Sequence, residues 1–388
     1  MEGGIDVTAK PMQRLLSIDM LRGLVIMIML LDHVRETFYL HHQMSDPVDV
    51  SQVEPGLFFS RVLAHICAPV FVFLTGLSAF LYGQKYQSKY MAANFLLKRG
   101  IFLIILELTL VNFAWTFQFP PTTLYLQVIW AIGISMIALA GLLYLPRGLL
   151  FIVGMVIILG HNLLDSIHVQ SSSSWYIPWA IIHEKNWIEI GGSLRIRTTY
   201  PVLPWIGVIA IGYTFGPWFT KTTVAAVRQY RLKLIGWSAI VFFIVLRFMN
   251  IYGDKPYSVG NNFLETSMSF FNITKYPPSL LFISLTLGVG LLLLRLFERH
   301  QDSKYLKYLA IFGSVPMFFY LLHLYVLKFL YLGAVALFGK NQGDYFGFAH
   351  WWSIWICTII LLVALYPLVL AFSRYKANNK DITWLKYF

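Results

Sequence analysis

Charge is scarce in this sequence: only 12% of its 388 residues are charged, and the mean hydropathy is +0.65. Soluble domains carry roughly 25% charged residues, so half of what keeps a fold in water is missing. Apolar residues make up 58% of the chain, and a water-soluble fold of that composition would expose more apolar surface than a monomer tolerates. Repeated apolar runs of about 20 residues stand in place of the charge, the length that crosses a bilayer as a helix. The expected fold class is all-α, a polytopic bundle of transmembrane helices.

Cysteine is nearly absent too. Cys67 and Cys357 are the only two, which excludes a disulfide framework and a cysteine-rich zinc site. Both fall inside apolar runs and read as small buried hydrophobes. There is no HExxH motif and the histidines are scattered over separate segments, so no metal is expected. A signal-peptide pattern is missing: the first apolar run is too long and no A-x-A cleavage site follows it. Acidic residues are outnumbered, giving a net charge of +12. That excess does not point to nucleic acid, because the bases sit in short loops between apolar segments, the pattern that orients membrane helices with their basic loops inside.

Apolar windows place ten spans at 20–40, 57–83, 99–118, 123–145, 147–168, 201–220, 233–252, 278–297, 308–338 and 350–373. One set of loops holds Lys10 and Arg14, then Lys85, Lys89 and Lys98, Arg147, Lys221 to Lys233, Arg299 to Lys307, and the tail from Arg374 to Lys386. The alternate set holds Asp46, Asp49, Glu54, Glu184, Glu189, Asp254, Glu265 and Asp344. The alternation predicts ten helices with both termini in the cytoplasm. It also predicts one domain over 1–388, with a short N-terminal segment 1–17 and a tail 374–388. The loop 169–200 carries Trp175, Tyr176, Trp179 and Trp187, which suit the interfacial belt or a platform for a substrate. No internal repeat is visible, and no pair of broken helices of the kind that marks inverted-repeat transporters.

Against this background "LRGLVIMIMLLDHV" (21–34) is unusual: Arg22 opens it and His33 nearly closes it, with only uncharged residues from Gly23 to Leu31. A helix turns 100° and rises 1.5 Å per residue, so eleven residues bring His33 back to within about 20° of Arg22, roughly 16 Å along the axis. An extended phosphopantetheine arm spans a distance of that order. Arginine binds phosphate bidentately and stays charged, which suits it to hold coenzyme A at a cytoplasmic mouth. Histidine exchanges a proton near neutral pH, which suits it to act on a thioester at depth. The plainer reading pairs Arg22 with Asp19 at the headgroups and leaves His33 as a near-interface histidine, yet ionisable groups inside a membrane mark function by default. The spacing predicts one continuous cavity from Arg22 to His33.

"RLLSIDMLRGLVIMIMLLDH" (14–33) resembles the opening of the bacterial relatives of heparan-α-glucosaminide N-acetyltransferase, and its Arg-x10-His spacing is similar to that of the acyltransferase-3 membrane enzymes. The resemblance continues through "APVFVFLTGLSAFL" (68–81), "RGIFLIILEL" (99–108), "LQVIWAIGISM" (126–136), "YPVLPWIGVIAIGY" (200–213), "KYPPSLLF" (275–282) and "VPMFFYLLHLYVL" (315–327). It implies acetyl-CoA as a cytoplasmic donor, an acceptor on the opposite face, and residence in the bacterial inner (plasma) membrane. In the lysosomal enzyme the catalytic histidine lies upstream of the stretch resembling "APVFVF". Here that offset falls near Glu54 and Pro55, so His33 rests on the acyltransferase-3 spacing, with His65 as a substitute.

Other polar groups lie within the apolar runs. Arg61 and His65 are four apart, on one helix face, and so are His161 and Asp165, where the carboxylate is placed to orient the imidazole. Glu107 sits near the midplane, where a lone carboxylate is expensive, and His323 is mid-span. Each is also explained singly by a helix–helix hydrogen bond; together they call for a shared, hydrated interior. Gly76, Gly207 and Gly212 suit close helix packing, or room for a slender ligand arm.

The expected function is acyl transfer. Arg22 and Arg99 would hold the donor's phosphates, and His33, helped by Asp32 or Glu107, would act as base or acyl carrier. Arg61, His65, His161, Asp165 and His323 would shape the acceptor side. The acceptor expected from the resemblance is an amine or hydroxyl of a sugar or cell-envelope glycan. The rival is a permease for a small anion or sugar that uses the same buried charges as a pathway; a structural or regulatory membrane partner explains them least well. The bilayer is the expected partner, with a homodimer left open.

Overall fold

The computed structural model describes residues 15–42 and 44–388, so Lys10, Arg14 and most of the segment 1–17 lie outside the described residues. Helix α1, Leu16–Phe38, has Asp19 in its first turn and Arg35 in its last, each of the sign that the helix dipole favours there. Next come α2 (Pro55–Ala64), with proline in its first turn, and α3 (Cys67–Tyr86). Helix α4 (Lys89–Leu106) is capped by the Ser88 hydroxyl, which accepts from Met91 N at 3.2 Å. It continues through a π-turn at Glu107–Val111 into α5 (Asn112–Thr116). Strand β1 (Thr123–Leu126) leads into α6 (Val128–Leu142), and α7 (Arg147–Gly160) ends in a 3₁₀ turn, His161–Leu164.

The remaining elements are α8 (Tyr176–Ile182), β2 (Trp187–Ile190), β3 (Leu194–Thr198) and α9 (Leu203–Thr214). They are followed by α10 (Ala225–Met249), α11 (Phe263–Phe271), α12 (Leu280–Arg299) and α13 (Lys304–Ser314). Helices α14 (Pro316–Phe338) and α15 (Ser353–Asn378) close the bundle.

Among the described residues six helical stretches are long and apolar enough to cross a membrane: Pro55–Tyr86, Arg147–Leu164, Ala225–Met249, Leu280–Arg299, Pro316–Phe338 and Ser353–Asn378. Helices α6 and α9 are apolar but shorter. The protein is an integral membrane protein built mostly of helix.

Three expected spans are interrupted. The run 57–83 changes helix at His65 and Ile66, and 123–145 opens as a strand. The run 308–338 breaks at Val315, because Pro316 has no N–H to continue the helix. The helical expectation holds for most of the chain, with the addition of a small three-stranded sheet of order β1-β3-β2. Its β1 runs parallel to β3 (Thr123 opposite Arg195), and β2 runs antiparallel to it (Trp187 opposite Arg197).

Small residues bring the helices together. A Cβ at Gly23 would overlap the Leu309 carbonyl, and one at Gly313 would overlap that of Asp19, so α1 and α13 cross backbone to backbone. The same reciprocal arrangement recurs at Gly76 with the α9 backbone and Gly212 with that of α3. Gly154 and Gly207 face each other between α7 and α9. These glycines serve packing and leave no room for a ligand arm.

Candidate functional site

Two openings lie along α1, and a third lies beyond its C-terminal end. The largest, about 830 Å³, sits where α1 begins and α3 ends, a size typical of pockets for cofactor-sized ligands. Arg22, Arg99, Lys221, Arg228, Lys376 and Lys386 line it, together with Asp19. Arg22 Nη1 donates to Asp19 Oδ1 at 3.3 Å, and its Nη2 donates to the Ser78 hydroxyl. Arg228 is committed to Glu298, with Nε 3.0 Å from both carboxylate oxygens. Aromatic rings form part of the wall: Tyr82 stacks on Phe95 with centroids 4.3 Å apart, and Phe388 lies nearby. Leu15 and Phe388 both line this basic cavity, so the two ends of the described chain meet on one face.

At the other end of α1 a chamber of about 30 Å³ is lined by Met29, Asp32, His33, Glu36, Gln127, Tyr200, Lys275 and Tyr276, among others. That is little more than one water molecule's share of space, so any substrate must part its walls. His33 Nδ1 lies 2.7 Å from His323 Nε2, and His323 Nδ1 lies 2.7 Å from the Phe319 carbonyl.

A carbonyl only accepts, so His323 carries its proton on Nδ1 and leaves Nε2 bare. His33 must then donate from Nδ1, which leaves its own Nε2 with a lone pair. No hydrogen bond from a described residue reaches that Nε2. Trp115 and Tyr320 pack edge-on against the His33 ring at 5.3 and 5.8 Å, fixing its plane.

Asp32 points away from this relay. Its Oδ1 accepts from Arg35 Nε at 2.9 Å and Nη2 at 2.7 Å, and its Oδ2 accepts from Lys275 Nζ at 3.2 Å. The partner that orients His33 is therefore His323, not the adjacent Asp32.

Among the described residues the cavity at Arg22 and the chamber at His33 are separate. No residue lines both cavities. Ile26, 2% exposed, shares the α1 face of Arg22 and Met29 and lines neither cavity; Ile132 of α6, 8% exposed, lies between Val128 and Met136 in the same way. The septum is thin. On α3, Ala68 lines the chamber and Phe71 the basic cavity, three residues or about 4.5 Å apart along the axis. Buried apolar residues, Ile26 on α1 and Ile132 on α6 among them, lie between the two linings where the spacing alone left a path open.

Beyond the chamber, on the face away from the basic cavity, a vestibule of about 440 Å³ is lined by Asp46, Asp165, Glu184, Asp254, His183 and Lys185, among others. Tyr276 belongs to both its wall and the chamber's. Burial pushes the Asp254 carboxyl above its ordinary range, against hydrogen bonds from Ser279, Thr274 and Lys255. Burial acts the same way on Asp165, but hydrogen bonds from His183 and Asn162 outweigh it and hold that carboxyl below its ordinary range.

The other expected site residues separate. Arg61 Nη2 grips Asp46 Oδ1 at 2.6 Å, while Asp46 Oδ2 accepts from the backbone N of Lys275 at 3.0 Å and of Tyr276 at 2.7 Å. Arg61 thus holds the segment that supplies the chamber wall. His65 is buried beside Phe282, and neither ring nitrogen has a partner among the described residues.

The expected His161–Asp165 pair does not form, because α7 gives way to a 3₁₀ turn of three residues per turn. His161 faces the carbonyls of Ile158 (3.0 Å) and Pro278 (2.8 Å), and Asp165 pairs with His183 Nε2 at 3.0 Å. Glu107 lines neither cavity. Its Oε2 accepts from Trp130 N at 3.1 Å, capping the first turn of α6.

Lys275, Tyr276, Tyr200 and Gln127 in the chamber wall are not among the residues that sequence reasoning singles out. Lys275 stands in a loop just before an apolar run, and the "KYPP" turn that folds it inward was the available signal. Among the described residues no group of three or more His, Cys, Asp or Glu is placed to hold a metal.

A search of curated proteins found no match. The family described as "Heparan-alpha-glucosaminide N-acetyltransferase, catalytic" matches residues 14–244, which holds α1 to α9 and both Arg22 and His33. The chain therefore belongs to the heparan-alpha-glucosaminide N-acetyltransferase catalytic-domain family of membrane acyltransferases.

Proposed function

We propose that the protein moves an acetyl group from cytoplasmic acetyl-CoA to an amine or hydroxyl of a sugar or cell-envelope glycan on the opposite face. In this reading the chain is one domain, crosses the membrane about ten times and keeps both termini in the cytoplasm; a bacterial inner membrane suits the basic loops. The basic cavity takes the nucleotide end of the donor, with Arg22 and Arg99 on its phosphates. The pantetheine arm parts the apolar layer past Ile26 and brings the thioester to His33. The acceptor arrives through the vestibule, past Tyr276.

The observation that carries this reading is the His33–His323–Phe319 chain, which leaves one ring nitrogen of His33 unprotonated and directed away from the relay. As the acceptor's N–H or O–H attacks the thioester carbonyl carbon, His33 Nε2 takes its proton. The tetrahedral adduct then collapses, the C–S bond breaks, and the departing thiolate takes that proton back. Acetylated acceptor and coenzyme A are the products. His323 keeps His33 in the productive tautomer throughout.

Purified protein in liposomes, given acetyl-CoA on the basic-cavity side and glucosamine as probe acceptor on the other, should release coenzyme A thiol and form N-acetylglucosamine. His33→Ala should abolish both while coenzyme A still binds. Absence of transfer to glucosamine or water in the unaltered protein, together with no binding of coenzyme A, would end the proposal. Glucosamine flux that needs no donor and survives His33→Ala would establish a permease instead.

A further inference from the structure

The transfer step needs a group to hold the negative charge that develops on the thioester oxygen, and no residue assigned so far supplies one. Arg22 and Arg99 lie across the septum, and the His33–His323 pair handles the proton. Resting on the reading above, we propose that the Lys275 ammonium is the oxyanion-stabilising catalytic residue of the His33 chamber. Lys275 lies beyond the stretch that matches the family.

Lys275 is 6% exposed and lines the same small chamber as His33. An ammonium has three N–H bonds, and among the described residues only Asp32 Oδ2, at 3.2 Å, accepts one. Its Nζ also sits 5.1 Å from the Tyr276 ring centroid, which shields one flank. The position is fixed from behind: the backbone N–H groups of residues 275 and 276 are held on Asp46, and Asp46 is held by Arg61. Asp32 in turn is clamped by Arg35 at 2.7 Å, and Arg35 also meets Glu36 Oε1 at 3.3 Å. Arg35 thus shares the two carboxylates, and among the described residues Lys275 is held by Asp32 alone through a hydrogen bond. The ammonium is thus fixed in place with two N–H bonds left over, an arrangement that favours a developing anion without reorganisation.

In the step itself, the acceptor's lone pair forms a bond to the carbonyl carbon and the C=O π pair moves to oxygen. Two N–H bonds of Lys275 remain for that oxygen. The pair returns when the C–S bond breaks, and Lys275 stays protonated throughout.

The alternative is that Lys275 serves only to neutralise Asp32, and its removal would then harm folding by stranding a buried charge. Two variants separate these cases. Lys275→Gln removes the ammonium; Asp32→Asn with Lys275→Gln removes both charges and leaves no stranded carboxylate. Removing one oxyanion donor costs about 10²–10³ in kcat, so both variants should lose about that factor in thiol release with glucosamine as acceptor. Affinity for coenzyme A should change less than about threefold, because its site lies across the septum.

Recovery of kcat to within about tenfold of the unaltered protein in the double variant would show a structural pair and overturn the proposal, as would a folded Lys275→Gln variant of normal kcat. His33→Ala is run beside them. An inactive His33→Ala with an active Lys275→Gln sinks this inference alone, an active His33→Ala removes His33 as the base, and an unaltered protein that neither transfers nor binds coenzyme A sinks the acyl-transfer reading as well.

Discussion

Replacing His323 by Phe is the sharpest perturbation of the proposed relay. The ring is 0% exposed and makes two hydrogen bonds, from Nδ1 to the Phe319 carbonyl and at Nε2 to His33, both 2.7 Å. Phenylalanine fills similar space, so the packing against Phe319 and Tyr320 survives. What is lost is the acceptor for His33 Nδ1–H. A buried donor left unsatisfied costs about 1–3 kcal/mol, and His33 escapes that cost by moving its proton to Nε2, the nitrogen needed as base.

The fraction of molecules in the productive tautomer then falls by a factor of about 10–100, since each 1.4 kcal/mol is tenfold, and kcat should fall with it. His323→Gln restores an acceptor near the old Nε2 and should recover activity to within about tenfold. The assay is single-turnover acetyl transfer in liposomes at saturating acetyl-CoA, with coenzyme A binding measured alongside. If His323→Phe is folded and transfers at the normal rate, the tautomer reasoning is wrong.

Three further outcomes follow from the geometry. Arg22→Gln removes a charge-assisted contact to phosphate worth about 1.5–3 kcal/mol and should weaken coenzyme A binding about 10–100-fold in a titration, with little change in rate at saturation. Ile26→Trp thickens the septum and, at about 1–3 kcal/mol of overpacking, should leave coenzyme A bound while transfer falls at least about tenfold; unimpaired transfer would mean the arm takes another path.

Asp165 has its carboxyl held below the ordinary range by His183 and Asn162, so its contribution to the fold is present above pH ~4 and lost as pH falls through the depressed value. Asp165→Asn should therefore lower thermal stability at pH 7 but not at the acid end, and an equal loss at both would refute the assignment.

Helices were legible in the sequence wherever an apolar run was long, because hydropathy reports how well side chains suit lipid, and backbone in lipid must satisfy its own hydrogen bonds as helix. The break at Val315 was signalled by Pro316, but an apolar run that continues through a proline looks unbroken to a window. The sheet was not legible. Strands of four or five residues show too few alternations to register, and β1 was hidden inside the run that becomes α6.

In the site, the shared face of Arg22 and His33 came directly from helical periodicity, since both lie on α1. His323 joins His33 from 290 residues away, a pairing set by how α14 packs on α1 and invisible to any local pattern. The opposite error befell His161 and Asp165: their spacing was right for an α-helix, and a change of helix type undid it. Lys275 looked like a loop base because its burial depends on Asp46 and Arg61, both far away in the chain.

The thin apolar layer between the two cavities, to which Ile26 belongs, has a bioenergetic meaning. A water-filled channel through this bundle would short-circuit any membrane that carries a potential, where each elementary charge crossing 100 mV releases about 2.3 kcal/mol. In the proposed reaction, a barrier that only an uncharged, slender chain can part would pass an acyl group while protons and ions stay on their own side.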